Sequence, residues 1–494
     1  MEFSNIRKLI FFISFVILST ALIYQHFELI QQWNKENIVL FIAIPSSPEH
    51  FEHRESLRET WLQSVPKVLK YKFIVGSSMC NIHPENRRSE YLCESLNISL
   101  PKHVQENTDL QVNSLRTEAK PVQPSRGFIF TVHHPVIIKT LGIQRSALAS
   151  EKEKIIRIAL HYISQNNFNL NLTHPATKIA SVTFHGDLIQ DDENNRGYVY
   201  KKLSNPLHLA QGFEGMVLVE KGSIQDDYFD CEQSTIWKHG NLFTISNVVT
   251  KSSIEVSVEK YCVLSSFGFT IKDIPGLEKR INKTNERTED WNKYVEKVYT
   301  QLQRESVEHG DILFLDMVDV YRNLPQKMFL FYKWLFKNYN VNYVLKTDDD
   351  VFVDILKVQR EIEKQIQWDW WSCFRIDWPV KRGGKWQETF NYKEEIYPPF
   401  PTGAGYVLSE KALDWLRYRL DTLSVEYQGE DVAMGIWLEG LEPTRHTGDA
   451  CYWACVDQCH AHSCNTIQLS VADMYSVWNS YQECGQMCGC SALS

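Results

Sequence analysis

Apolar positions follow three rhythms along this chain. The first is the unbroken run Leu9–Tyr24, preceded by Arg7 and Lys8 and followed by no fixed charge until Glu28. As a helix, Leu9–Phe27 would reach about 28 Å at 1.5 Å per residue, the span of a thin bilayer. Positive residues before the run and none just after it predict a single-pass signal-anchor over 9–27, with 1–8 as a cytosolic tail. The remainder would then face the lumen of the endoplasmic reticulum or Golgi membrane. A cleaved signal peptide, with Ser19-Thr20-Ala21 as its small-x-small site, is the alternative and sends the chain to the same side.

The second rhythm is alternating strand and helix. Ile38–Ile44 (IVLFIAI) is a short apolar run of the kind buried in a parallel sheet, stopped by Pro45-Ser46-Ser47-Pro48. Glu49–Leu62 carries Phe51, Leu57, Trp61 and Leu62 near helical spacing, and Leu69–Gly76 reads as a further strand. This strand–helix–strand unit opens an α/β domain. The rhythm returns with a helix over Glu286–Glu305, a strand at Asp311–Asp316, a helix over Pro325–Tyr339 and a strand at Tyr343–Lys346. Between the two stretches lies the third rhythm, short β-like runs punctuated by Gly, Pro, Asn and Asp. The predicted organisation is therefore a discontinuous α/β domain, 38–80 and 277–450, around a mainly β insert, 81–276. A structural sandwich or a sugar-binding module fits that insert. Residues 451–494 form a cysteine-rich extension.

Composition narrows the function. The chain has 494 residues, 43% hydrophobic and 23% charged, so it buries a large core. Its net charge of −9 comes without a basic stripe, which argues against nucleic acid as a partner. Five of twelve cysteines are spread out, at 80, 93, 231, 262 and 373, and seven crowd the tail. Local bridges Cys80–Cys93 and Cys231–Cys262 would leave Cys373 and the seven tail cysteines as an even eight. A zinc site using His460 and His462 is the weaker reading behind a membrane anchor. Sequons at Asn97, Asn171 and Asn282 fit a luminal chain.

Candidate chemistry gathers at three places. Asp348-Asp349-Asp350 follows a strand, at the carboxyl edge where open α/β sheets bind ligands, with Lys346 just ahead. Adjacent carboxylates repel unless a cation absorbs their charge, and hard oxygen donors suit Mn²⁺ or Mg²⁺ beside a diphosphate. Glu430-Asp431 follows Gly429 and precedes the apolar helix VAMGIWL. A helix amino terminus would hold these carboxylates ionised, as a general base requires. Gly403 and Gly405 let backbone approach a ligand, and Tyr406 is placed to stack on a sugar. Arg54 and Arg58 share one helix face and could clamp phosphate. No G-x-S-x-G, H-E-x-x-H or G-x-x-x-x-G-K-[ST] signature occurs, which withdraws the usual support for serine hydrolase, zincin and P-loop readings.

In order along the chain, HRESLRETWL, LDMVDVYRNLPQK, YVLKTDDDVFV, YPPFPTGAGYVLS and YQGEDVAMGI resemble the luminal β-1,3-glycosyltransferases. Those enzymes transfer galactose or N-acetylhexosamine. The resemblance covers most of the chain after the anchor, more loosely through 97–276. It implies a GT-A nucleotide-sugar fold and an inverting, metal-dependent reaction. The long insert, FRIDWPVKRGGKWQE and the cysteine-rich ending are most similar to members that use UDP-GalNAc. The implied reaction adds GalNAc in β-1,3 linkage to a terminal GlcNAc of glycoprotein glycans, of which O-mannosyl glycans are one class. The alternatives are galactosyl or GlcNAc transfer, a non-catalytic chaperone, and a lectin-like protein. By the same resemblance Asp350 and Asp348 are metal ligands, and Asp431 is the catalytic base. Arg54, Arg58, Lys346, Asp348, Asp349, Gly403, Gly405, Tyr406 and Glu430 face the donor, as does the Lys327 region. Two positions depart from the family pattern: Ile467 and Gln468 stand where many relatives carry a metal-binding His, and Thr402 where many carry Cys.

Overall fold

A computed structural model describes residues 35–101, 110–112, 123–150, 155–163, 177–185, 197–220, 240–250, 254–255, 261–364, 367–381, 385–388 and 392–490. Strand β1 (Glu36–Pro45) is followed by α1 (Phe51–Glu59) and β2 (Lys70–Met79). The expected helix to Leu62 is shorter, because the chain tightens into a single 3₁₀ turn at Trp61–Ser64. The long helix α2 (Thr284–His309) ends on Gly310 at φ 65°, a left-handed residue that closes a helix without Cβ strain. Then follow β3 (Ile312–Asp319), α3 (Leu324–Asn338), β4 (Tyr339–Thr347), α4 (Ile355–Glu363) and β5 (Trp370–Arg375). The series closes with β6 (Phe400–Ser409), α5 (Glu410–Arg419), α6 (Glu430–Leu438), β7 (Arg445–His446) and α7 (Val471–Cys484).

All seven strands join one sheet in the order β3-β2-β1-β4-β6-β5-β7. The first four run parallel, while β6 is antiparallel to both β4 and β5. Strand β1 is buried from Leu40 onward, which explains its continuous apolar run: a central strand covered on both faces has no polar side. Helix α3 places Pro325 in its first turn and buries Met328, Phe331, Tyr332, Leu335 and Phe336, the i, i+3, i+4, i+7, i+8 stripe of a covering helix. Its layer contacts Phe41, Val344 and Leu408. The opposite layer joins Leu57 and Trp61 to Ile42, Ile44 and Leu345.

Strands between residues 110 and 271 form other sheets. One has six strands and another four, both antiparallel, and Gln123–Ser125 pairs parallel with Tyr261–Val263. Phe128 and Phe130 of the larger pack on Phe267 of the smaller, with the Phe130 and Phe267 ring centroids 4.9 Å apart. The chain returns to the seven-stranded sheet through the helix Ile274–Asn282 and α2. Arg280 ties that return, donating to the carbonyls of His133 at 2.7 Å and Glu85 at 2.9 Å.

Disulfides staple the carboxyl-terminal part. Cys373, at β5, bonds Cys455, and the other tail bridges are Cys451–Cys464, Cys459–Cys488 and Cys484–Cys490. Cys80 bonds Cys93. Cys262 is disulfide-bonded, and Cys231 lies outside the described residues. The tail segment Asn465–Thr466 pairs antiparallel with Phe352–Val353, directly after the acidic triplet. Asn97 and Asn282 are exposed, and Asn171 lies outside the described residues.

The expected membrane residence is corrected. Among the described residues no helix is long and apolar enough to cross a membrane, and the segment 9–27 on which the expectation rested lies outside them.

Candidate active site

Strand β4 ends at Thr347, so Lys346 is its last inward-facing cation and the triplet Asp348–Asp350 emerges at the sheet's carboxyl edge. Lys346 is 1% exposed. Its Nζ donates to Asp348 Oδ1 at 2.7 Å, to the Gly403 carbonyl at 2.5 Å and to Glu430 Oε1. One buried ammonium therefore joins the end of β4, Gly403 within β6 and the first turn of α6. Burial acts against its charge, but Asp348 and Glu430 outweigh that and raise its pKa.

The triplet divides by partner. Asp348 has Lys346, while Asp349 Oδ2 lies 2.8 Å from His50 Nδ1. That hydrogen bond raises the His50 pKa, and against the opposing effect of burial it lowers that of Asp349. Asp350 has no cationic side chain paired to it among the described residues. Burial, then the charges of Asp348 and Asp349, push its carboxyl up to about 6. Its backbone carbonyl accepts from Leu469 N at 2.9 Å. The preceding Gln468 is exposed and adopts φ 58°, an uncommon left-handed conformation for a side-chain-bearing residue. His460 and His462 are exposed on the tail.

Glu430 and Asp431 open α6. Glu430 is buried, and burial together with Asp431 and Asp348 raises its pKa despite Lys346. Tyr406 Oη donates to its Oε2 at 3.4 Å. Asp431 is partly exposed, and its Oδ1 accepts from Val432 N at 2.8 Å. The expectation that the helix terminus holds these carboxylates strongly ionised is corrected. Burial pushes Asp431 upward and Asp348 adds to it, outweighing the Val432 N–H. A Cβ on Gly429 would stand 2.7 Å from Asp431 Oδ1, so glycine lets this carboxylate fold back over its own helix start. Gly403 faces the same pair, its Cβ direction pointing 3.4 Å from Glu430 Oε1 and 3.9 Å from Asp431 Oδ2.

Other expected positions fall elsewhere. Tyr406 is fully buried and cannot stack on a sugar. Gly405 packs under Trp453, where a Cβ would approach the indole to 2.4 Å. Arg54 and Arg58 are engaged internally. Arg54 Nε and Nη2 each donate to Glu305 at 2.8 Å, and its Nη1 holds Ser46 Oγ and the Ser47 carbonyl. Arg58 grips Asp311 with two donors, at 2.8 and 2.9 Å. Buried Lys327 spans the Ser46 carbonyl at 2.9 Å and Asp319 at 2.7 Å. Arg54 and Lys327 thus brace the turn after β1, and Arg58 ties α1 to Asp311 and Glu305.

Two groups at the site escaped sequence reasoning. His50 sits 299 residues before its partner Asp349. Tyr321, which accepts from Trp386 Nε1 at 3.3 Å, has its pKa raised by burial and by Asp431, Glu430 and Asp348. His50 lay in a predicted helix without a motif of its own, and Tyr321 stood inside LDMVDVYRNLPQK with no role assigned to it.

A mainly parallel sheet with two carboxylate clusters at its carboxyl edge has the layout of an α/β ligand-binding domain, and similarity to known proteins gives its class. The Galactosyltransferase family model matches residues 289–447, and the chain belongs to that family. Across nearly its whole length it is similar to UDP-GalNAc:β-1,3-N-acetylgalactosaminyltransferase 2 of Xenopus tropicalis, at 31% identity over 93% of this chain and 92% of the relative. The Homo sapiens protein of that name is 26% identical over 94% and 92%. Mouse β-1,3-galactosyltransferase 6 is 34% identical over 29% of this chain and 46% of its own length.

Proposed function

We infer that the protein is an inverting glycosyltransferase that moves GalNAc from UDP-GalNAc, in β-1,3 linkage, to a terminal GlcNAc of glycoprotein glycans. The donor and linkage follow the names its full-length relatives carry. The observation that carries the mechanism is Lys346, which joins Asp348 to Glu430 and so sets Asp431 near the acidic triplet. In this reading the seven-stranded sheet is a GT-A domain in two parts, 38–80 and 277–450, around the β module, and 451–494 is its disulfide-stapled extension.

Asp431 is the base. Val432 N occupies its Oδ1, and Oδ2 on the Gly403 side takes the proton from the acceptor 3-hydroxyl. As that proton leaves, the hydroxyl oxygen bonds the anomeric carbon, and the bond from this carbon to the UDP oxygen breaks on the opposite face with its electron pair. Burial raises the basicity of Asp431, which favours proton abstraction. A divalent cation fits the donor set, because Asp350 carries a carboxylate with no cationic partner among the described residues beside partnered Asp348 and Asp349. Asp350 and Asp348 would hold Mn²⁺ or Mg²⁺, which when bound supplies charge stabilisation for the leaving diphosphate. In this reading Arg54 and Lys327 position the β1 turn, and Arg58 anchors α1 on Asp311, rather than touch the donor.

A donor screen on the purified protein, with and without EDTA, tests this. GalNAc transfer to a β-linked GlcNAc acceptor, lost on chelation and restored by Mn²⁺, is expected. Exclusive use of UDP-galactose or UDP-GlcNAc would overturn the donor assignment, and EDTA-insensitive transfer the metal.

A further inference from the structure

A second recess lies outside the carboxylate centre. It encloses about 1250 Å³ between the β module and the seven-stranded domain. That exceeds the roughly 300–1,000 Å³ of small-molecule pockets, and so exceeds what one terminal sugar needs. Three separate stretches build it. The loop closed by Cys80–Cys93 contributes Tyr91, the β module contributes Gln211, Thr244 and Ser246, and the catalytic side contributes Lys385 and Glu388.

The walls are tied together. Arg322 N donates to the Tyr91 carbonyl at 3.2 Å, and Arg280 links the β module to the disulfide loop. The recess is therefore preformed. On its catalytic side Lys385 Nζ lies 4.5 Å from the centroid of Tyr321, 5.8 Å from Tyr91 and 5.9 Å from Trp386. Trp386, 49% exposed, stands next to these rings, and Tyr91 and Tyr427 line the recess itself. Aromatic rings set among hydroxyl, amide and carboxylate groups have the chemistry of a sugar-stacking wall: apolar C–H faces meet the ring while hydroxyls meet polar groups.

The recess also adjoins the segment that carries the base. Tyr427 and Glu388 line it, and Glu388 Oε2 accepts from Gln428 N at 3.3 Å, three residues before Asp431.

Resting on the transferase reading above, we propose that this cleft holds the inner sugars of an oligosaccharide acceptor, with the β module forming the wall across from Lys385, Glu388 and Tyr427. The module then contributes to acceptor choice directly, and the enzyme distinguishes a chain of two or more sugars from a lone GlcNAc.

The test uses the full chain and fills the cleft from the module side. Ser246→Trp lies on the strand Phe243–Val249, and Gln211→Trp lies on an exposed turn that tolerates a large side chain should the strand variant fail to fold. Transfer is measured to a β-linked GlcNAc aglycone and to a GlcNAc-terminated trisaccharide, and saturation-transfer NMR follows binding of the trisaccharide without donor. At least a tenfold fall in the trisaccharide-to-monosaccharide ratio of kcat/KM, mostly in KM, is expected, with weakened NMR transfer to the inner sugars. Equal effects on both acceptors, unchanged ratios in both variants, or displacement of the trisaccharide by an unglycosylated peptide would overturn the cleft assignment. If the wild type transfers no sugar, the transferase reading falls. Trisaccharide binding that is lost in the variants would still uphold the cleft, and binding that persists would remove it.

Discussion

Asp431→Asn isolates proton abstraction from everything else the site does. Asparagine has the same shape, and its oxygen still accepts from Val432 N at the 2.8 Å contact, so the start of α6 is retained. What disappears is one negative charge and the ability to take a proton. General-base catalysis contributes about 10²–10⁴-fold, or roughly 2.7–5.4 kcal/mol on the barrier. Removing that charge also relieves Glu430, which Asp431 helps to push upward. Folding stability should therefore hold or rise slightly, and UDP affinity should stay within about threefold. The sign of the pH effect follows from the raised pKa of Asp431. A carboxyl raised on folding binds its proton more tightly, so wild-type kcat/KM falls on acidification at a higher pH than a solvated aspartate would give. The variant's residual activity should lack that limb. Steady-state transfer across pH, calorimetric UDP titration and a thermal melt read the three quantities. Turnover within tenfold of wild type, or UDP binding lost in parallel with kcat, would refute the assignment. Glu430→Gln is the control: it alters the neighbouring carboxylate and should cost less than about tenfold in kcat.

The other predictions concern the two buried cation clusters. Lys346→Met leaves Glu430 buried without its partner, a loss of about 3–5 kcal/mol. The lower end applies because the Asp348 side chain is 39% exposed and can rehydrate. The double variant Lys346→Met/Glu430→Gln should recover more than half of the lost Tm, and no recovery in a calorimetric melt would remove the pairing as the cause. Glu305→Gln withdraws the charge shared by Arg54 and Arg58, whose side chains are 0% and 8% exposed. It should destabilise by about 3 kcal/mol and weaken donor binding through the β1 turn, whereas a wild-type melt with weakened UDP binding would return these arginines to the donor.

Much of the sheet was legible because central parallel strands are buried on both faces. Ile38–Ile44 lies within β1 and Asp311–Asp316 overlaps β3, since continuous apolar runs leave little choice of period. What failed was the direction of side chains whose partners are remote. Arg54 and Arg58 looked like a free basic face because Glu305 and Asp311 come about 250 residues later. Tyr406 looked like a ligand contact because of its glycines, yet its strand lies inside the sheet between β4 and β5, with the ring packed into the core. The ionisation expected for Asp431 considered the helix terminus alone. Burial depends on elements far away in the chain, and it dominates.

The arrangement of charge ties these corrections together. Five carboxylates, Asp348 to Asp350 and Glu430 to Asp431, gather where the described basic side chains paired with them are Lys346 and His50. Lys346 serves Asp348 and Glu430, and His50 serves Asp349, so these three are held in place by partners. Asp350 and Asp431 are left with the excess negative charge, and both are raised for that reason and by burial. Repulsion of this kind is relieved by binding a cation or by taking up a proton. In the proposed reaction the first response falls to Asp350 and the second to Asp431. Lys346, which was expected to face the donor, makes both available by holding Asp348 and Glu430 in place.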